Sequence, residues 1–350
     1  MKLAGGDRLK EAECCALAGT NYRSVPYGRV ARSFKRDPLG RGATRVGGEN
    51  RVIAYRITTL AFATLLATGC LTGPDQPAFE IAYRGELGST GGIIAMTPDG
   101  SNGRVLVTPT EGPGCPSFSP DGRKIAFAGS TTNRIAIIDV PSRAETWLTS
   151  GWCPTWSPDG AQLAFFRGPI SAPNGWGLYV MNIDGTGLRE LAPDGFDTGG
   201  LDWSPDGRWL AVSTYSEGRL LFVDAATGAR RLPSPARVLL GFQPAWAPDG
   251  QQVAYVTGTP AQGQEIWLID ISDGTVRQVT HSPTDATPYH NYRPRWSPDG
   301  TMIVYWRIGP VTSPGRSDPH IVLVGVDGIE RSWKAATPIL GDQPFWRRSP

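Results

Sequence analysis

From residue 79 onward the chain is a succession of short apolar runs separated by turn residues. One set reads Lys124-Ile125-Ala126-Phe127, Gln162-Leu163-Ala164-Phe165, Trp209-Leu210-Ala211-Val212, Gln252-Val253-Ala254-Tyr255 and Met302-Ile303-Val304-Tyr305. Short runs rich in β-branched and aromatic residues, bounded by Gly, Pro and Asp, predict strands. A second set predicts a further hairpin after each of these: Ile135–Asp139, Gly177–Asn182, Leu220–Asp224, Glu265–Asp270 and Ile321–Val324. Turn signals such as Asp184-Gly185, Asp273-Gly274 and Asp327-Gly328 follow them. Helical apolar periodicity is nearly absent after residue 75.

The pattern repeats. Trp-Ser-Pro-Asp-Gly, or a near copy, occurs five times: Phe118 to Gly122, Trp156 to Gly160, Trp203 to Gly207, Trp246 to Gly250 and Trp296 to Gly300. Its aspartates, Asp121, Asp159, Asp206, Asp249 and Asp299, are spaced by 38, 47, 43 and 50 residues. Pro presets φ for the turn, Asp bonds nearby amides and Gly accepts positive φ. The turn therefore accounts for the aspartates without a metal ion, and recurrence at one slot assigns the aromatics to packing between neighbouring repeats.

Four strands joined by tight turns in each repeat of 40-odd residues predict a propeller blade. Phe79–Tyr83 fits the second-strand slot, so the first blade lacks its first strand. The missing piece recurs at the other end, where Asp342-Gln343-Pro344-Phe345-Trp346 matches Phe242-Gln243-Pro244-Ala245-Trp246. The expected fold is all-β: a six-bladed β-propeller of four-stranded antiparallel blades over residues 79–350, closed by the C-terminal strand completing the first blade.

The P-x-W-S-P-D-G repeat, followed by an L/I-A-F strand, resembles that of the TolB-like propeller family over residues 79 to 347. The resemblance implies the propeller and a bacterial envelope setting. The family's namesake is a periplasmic protein that binds a peptidoglycan-associated lipoprotein. Its N-terminal α/β domain has no counterpart here, since only a linker at 71–78 precedes the first blade.

Residues 1–50 lack the strand rhythm and hold ten Lys/Arg against five Asp/Glu. They read as an upstream extension from a mis-assigned start, with translation beginning near Val46 or Val52, or as a basic tail. Residues 51–70 follow with Arg51, Arg56 and an uncharged apolar run from Ile57 to Thr68, then Gly69-Cys70. That is the plan of a secretory signal. Leu66-Ala67-Thr68-Gly69-Cys70 resembles a bacterial lipoprotein signal, which implies acylation at Cys70; an ordinary secretory signal with an incidental Cys is the other reading. Twelve of the 34 Lys/Arg and five of the 32 Asp/Glu lie before Cys70, which leaves 22 against 27, a net charge of −5 where the whole chain carries +2. A domain of that charge carries no footprint for nucleic acid.

The chemistry-bearing residues are few. Cys115 and Cys153 hold one slot in adjacent blades, where a disulfide and two merely neighbouring thiols are both open: an oxidising compartment favours the bond, and a Cα separation above ~7 Å forbids it. His281 and His290, with Asp285, form a thin metal pattern and read as loop residues near a channel mouth. No G-x-S-x-G, H-E-x-x-H or phosphate-loop pattern occurs. No metal, cofactor or catalytic residue is therefore expected.

Specificity is expected at repeated slots whose residue changes while its flanks stay constant. The slot before the blade Pro holds Cys115, Cys153, Gly200, Gln243, Arg293 and Gln343; the slot after it holds Ser117, Thr155, Asp202, Ala245, Arg295 and Phe345. Loops entering the first strand of a blade are expected at 194–200, 239–242 and 281–292. Asp202, Gln243, His281, His290, Arg293 and Arg295 are the candidate partner-binding residues. The reading is a non-catalytic, monomeric envelope lipoprotein, periplasmic or outer-membrane-anchored, that binds a protein or peptide through loops on one channel face. It would touch the membrane only through its lipid. The alternative is a secreted glycan-active propeller, a lyase or a carbohydrate-binding module.

Overall fold

The computed structural model describes residues 79–87, 90–168, 176–214, 218–233, 239–259, 262–282, 289–309, 320–331 and 342–348. Cys70 and the signal-like stretch lie outside them. The described residues contain strands and turns and no helix.

The strands run in hairpin order. β1 (Phe79–Leu87), β2 (Thr90–Met96) and β3 (Arg104–Val107) pair in sequence, and the chain's last strand adds to the free edge of β1. β4 (Pro113–Phe118), β5 (Lys124–Gly129), β6 (Arg134–Asp139) and β7 (Glu145–Ser150) form a second meander. β8 (Trp152–Trp156), β9 (Gln162–Arg167), β10 (Trp176–Asn182), β11 (Arg189–Trp203), β12 (Trp209–Thr214), β13 (Leu220–Asp224) and β14 (Arg230–Arg231) make one seven-stranded sheet. The last sheet holds β15 (Phe242–Trp246), β16 (Gln252–Thr259), β17 (Gly263–Asp270), β18 (Val276–Gln278), β19 (His290–Trp296), β20 (Met302–Ile308), β21 (His320–Gly325) and β22 (Glu330–Arg331). β23 (Asp342–Arg348) is the strand that pairs antiparallel with β1, Ile81 opposite Trp346 and Ala82 opposite Phe345.

One expected loop is not a loop. Residues 194–200 belong to β11, which pairs with β10 through Phe196 and with β12 from Phe196 to Trp203, its register shifting between Phe196 and Leu201. The long strand serves two neighbouring meanders at once, and Phe196, fully buried, anchors the crossover. His290 to Tyr292 are likewise strand, at the start of β19.

Each Ser-Pro-Asp-Gly segment is a closed hydrogen-bonded turn. In the first copy the Gly122 amide donates to the Ser119 carbonyl at 2.8 Å, and the Asp121 Oδ1 accepts from the Ser119 hydroxyl at 2.6 Å and the Arg123 amide at 3.0 Å. Those two bonds hold Asp121 below the usual carboxylate range, and the matching Ser157 and Ala161 bonds do the same for Asp159. The terminal glycines sit at φ of 69, 72, 75, 72 and 72°, a left-handed value that a Cβ would penalise.

Apolar packing explains why the strands read as continuous apolar runs. Successive side chains point to opposite faces, and here both faces are covered. Ile125 and Phe127 pack with Ile93 and Phe345, while Ala126 between them packs with Leu163 and Phe165. The other core clusters likewise join neighbouring meanders, and one joins β20 and β21 to β1 and β2 through Val304 and Leu323 against Ile81 and Ile94. The innermost strands β4, β8, β11, β15, β19 and β23 contact each other in that order, and β23 contacts β4.

Charges reinforce the junction of the two chain ends. Glu80, 3% exposed, accepts from Arg104 Nη1 at 2.5 Å and from Arg347 Nη1 at 2.8 Å. Arg347 also donates from Nε to the Gly122 carbonyl at 3.1 Å, and Arg84 pairs with Asp342.

Candidate functional site: the pocket between the inner strands

The inner strands bring together two sets of side chains, one on each side of the blade Pro. The first comes from the slot before each Pro. Cys115, Cys153, Gln243, Arg293 and Gln343 all have left-handed backbones, with φ of 48, 47, 55, 51 and 52°. Each lies where the register with the next strand slips, as between Gly114 and Ser117 or Tyr292 and Arg295. A bulge of this kind leaves its extra residue out of the ladder and re-aims its side chain. The re-aimed groups meet. Cys115 and Cys153 are disulfide-bonded with Cα atoms 4.8 Å apart. Gln343 Oε1 accepts from the Cys115 amide at 2.6 Å, and Arg293 Nη2 lies 3.3 Å from Cys115 Sγ. Gln243 Oε1 accepts from the Arg293 amide at 2.7 Å. The sixth member, Gly200, lies so close to Gln243 that a Cβ would stand 3.3 Å from its Cα. These contacts tie β4 to β8, β19 and β23, and β15 to β19.

The second set comes from the slot after each Pro, and it lines a pocket of about 290 Å³. Ser117, Thr155, Asp202, Ala245, Arg295 and Phe345 each contribute one wall position, and Ser119, Pro120 and Pro298 place the opening on the Ser-Pro-Asp-Gly side. Indoles stitch the walls together. Trp156 Nε1 donates to the Ser117 carbonyl at 3.0 Å, Trp296 Nε1 to Ala245 at 3.1 Å and Trp346 Nε1 to Arg295 at 3.2 Å. Each of these three indoles thus grips the wall residue of the preceding meander. Trp203 and Trp246 depart from the pattern: Trp203 donates to Gly207 within its own turn, and the buried Trp246 Nε1 has no hydrogen-bond partner among the described residues.

The pocket's electrostatics rest on two residues. Asp202 Oδ2 accepts from the Trp246 amide at 2.7 Å. Water reaches Asp202 from the pocket, yet protein surrounds it, and burial pushes its carboxyl up while the nearby Arg295 charge pulls it down. Arg295 donates from Nη1 to the Pro244 and Pro294 carbonyls, both at 3.3 Å. The third charge in the lining, Arg347, is committed to Glu80.

The structure therefore divides the six candidates. Asp202 and Arg295 share the pocket. Gln243 and Arg293 lie in the bulge set, with Gln243 Oε1 and the Arg293 amide bonded to each other. His281 is exposed at the chain stretch after β18, and His290 opens β19 beside Tyr292, its ring 6.4 Å from the tyrosine's. Neither histidine lines the pocket. Burial lowers the His290 pKa, against the pull of Glu265. No group of three or more His, Cys, Asp or Glu side chains able to hold a metal occurs among the described residues.

Sequence reasoning missed a buried polar network between β17, β19 and β20. Glu265 accepts from the Thr280 hydroxyl at 2.5 Å, the Asn291 amide group at 2.9 Å and the Ser282 backbone at 2.7 Å. Asn291 Oδ1 in turn accepts from Arg307 Nε at 2.9 Å. The partners are 11 to 26 residues apart, so spacing carried no signal.

Inner strands in a cycle, meanders stacked side by side and a central pocket define the propeller class of fold. Solved structures agree: 1169 chains match, so the fold is widespread and its likeness alone selects no function. TolB from Acinetobacter baumannii matches with a TM-score of 0.60 at 20% identity, over 77% of this chain and 66% of that one. This chain thus spans just under two thirds of that protein's length. The putative TolB from Agrobacterium tumefaciens matches with a TM-score of 0.57 at 17% identity, over 78% of this chain and 99% of that one. A chain of the nidogen/laminin complex matches with a TM-score of 0.55 at 11% identity, over 77% of this chain and 98% of that one. At these identities the likeness is one of fold, a TolB-like propeller. No family model matches the chain, and no curated protein does.

Proposed function

We propose that this chain is a non-catalytic cell-envelope propeller of six blades, closed by β23, that binds a protein or peptide partner through the pocket face. The observation that carries the reading is the pocket itself. A repeated scaffold presents six different residues at one slot, and two of them, Asp202 and Arg295, place opposite charges in a recess walled by aromatics. Such a recess suits a protruding chain segment, because backbone amides and side chains of either sign find partners there. The cyclic order of inner strands supports the six-blade count.

The test is chemical crosslinking in the native host, followed by identification of the captured protein. Arg295→Ala and Asp202→Asn are expected to weaken capture about tenfold or more, since losing one charge-assisted hydrogen bond costs about 1.5–3 kcal/mol. Neither change should shift the melting temperature by more than a few degrees, because both side chains border the pocket rather than the packed faces. Undiminished capture by stable variants would remove the pocket from the binding surface.

The same reading places the protein in the periplasm or on the outer membrane, tethered through an acylated Cys70. The mature protein is then expected to partition into detergent and incorporate labelled palmitate, and Cys70→Ala to release it into the soluble fraction. Recovery of peptides from residues 2–50 in the native protein would contradict this origin.

A further inference from the structure

The pocket walls carry one anion and one cation that do not pair with each other. No ion pair within 4.0 Å joins Asp202 to Arg295, although the Arg295 charge is felt at Asp202. Asp202 and Arg295 come from β11 and β19, which flank β15 and its Ala245. Trp246 and Trp296 line the same pocket. Arg347 cannot serve as a second free cation, since Glu80 and the Gly122 carbonyl occupy its guanidinium.

An unpaired carboxylate surrounded by protein is costly, and a cation set against it relieves that cost. A guanidinium whose contacts are two long carbonyl bonds still offers a fork of donors, which matches a carboxylate. The two needs line one pocket of about 290 Å³, so a small ligand that meets both carries an ammonium and a carboxylate close together.

We propose that the pocket takes the zwitterionic head of an α-amino acid, its ammonium against Asp202 and its carboxylate against Arg295. The inference goes beyond the partner reading while resting on the same pocket as the binding site. A residue inside a protein chain carries no free ammonium and carboxylate on one carbon, so the ligand named here is a small molecule or the free head of a side-chain-linked amino acid. The two charged groups of an α-amino acid are attached to one carbon, so the walls read them together. Its side chain would lie along the indoles. The volume of about 290 Å³ admits an amino acid or a short extension of one, and excludes a folded domain. A free amino acid and one joined to a larger molecule through its side chain present the same head.

The experiment is a titration of the full chain followed by intrinsic fluorescence, because Trp246, Trp296 and Trp346 all line the pocket. The probes are free L- and D-amino acids, their N-acetyl forms and their carboxamides. Saturable binding of free forms is expected, with a loss of about tenfold or more for either cap, the weight of one charge-assisted bond. Asp202→Asn should erase the discrimination against N-acetylation, and Arg295→Gln that against the carboxamide. Lysine attached to a soluble polymer through its ε-amine separates the sources: binding as tight as free lysine points to a larger molecule, and weaker binding to a free amino acid. Equal binding of capped and free forms, or no saturation by any free amino acid at millimolar concentration, overturns the inference. The capping comparison needs no variant, so a misfolded mutant cannot mask the result. If amino acids fail while crosslinked capture still depends on Arg295, the zwitterion idea falls and the partner reading stands.

Discussion

Deleting residues 342–348 is expected to unfold or aggregate the protein. The deletion strips β1 of its partner and exposes a backbone edge, a template for association. It removes Phe345, 5% exposed, from the cluster it shares with Ile93 and Phe127. Burying a side chain of that size is worth about 1.5–3 kcal/mol. It also removes Arg347 from Glu80, leaving a carboxylate 3% exposed with only Arg104 to answer it. Losing a partner from a buried ion pair costs about 3–5 kcal/mol, and Arg104 offsets part of that. The total approaches the whole stability of an ordinary domain, about 5–15 kcal/mol. Thermal melting followed by circular dichroism, with light scattering for aggregation, measures it. A control lacking residues 1–50 should melt as the full chain does. An unaltered melting curve after loss of the strand would mean that the ring holds by other contacts.

The second large effect is expected at Glu265. Three donors converge on its carboxylate, and the amide group of Asn291, fully buried, has only the longer 3.3 Å bond to the Thr280 hydroxyl besides it among the described residues. Glu265→Leu keeps the volume and removes every acceptor. Each buried donor left without a partner costs about 1–3 kcal/mol, and relaxation recovers some of it, so a loss of about 3–5 kcal/mol is expected. Arg307 would feel the change through Asn291, which links it to Glu265. Arg331→Leu is the comparison: it and its partner Asp327 are 45% and 47% exposed, so little stability should be lost there. Denaturant midpoints of the two variants test the order. Equal effects would show that burial of the network does not set its worth.

How far the sequence could be read depended on how local each determinant was. The Ser-Pro-Asp-Gly turns were legible because their bonds close within five residues, as Ser157 with Asp159 and Gln162. The runs around Ile125, Leu163 and Val253 were legible because their length and β-branched content suit a strand covered on both faces. The seam was legible because Asp342 to Trp346 repeats a pattern whose other copies have a following hairpin, and this one does not. At the pocket, the variable slot after each Pro marked Asp202 and Arg295.

Other features were decided between strands. Residues 194–200 contain Gly, Asp and Thr and read as a loop, yet they lie within β11, whose Phe196 pairs with both β10 and β12. Nothing in Cys, Gln or Arg signals a left-handed backbone, so the bulges that carry Cys115, Gln243 and Arg293 inward were invisible. Their consequence, a Cα separation of 4.8 Å between Cys115 and Cys153, could not be obtained from a spacing of 38 residues.

The sequence by itself determined the turns, the strand runs and the meeting of the two ends, because those follow from backbone preference and from a repeat of one pattern. Only the tertiary structure decided which variable residues share a space. Arg293 and Arg295 are two positions apart on β19, yet the register shift between Tyr292 and Arg295 sends them to different sets. One bonds within the bulge set and the other lines the pocket with Asp202, a division set by strand pairing rather than by residue type.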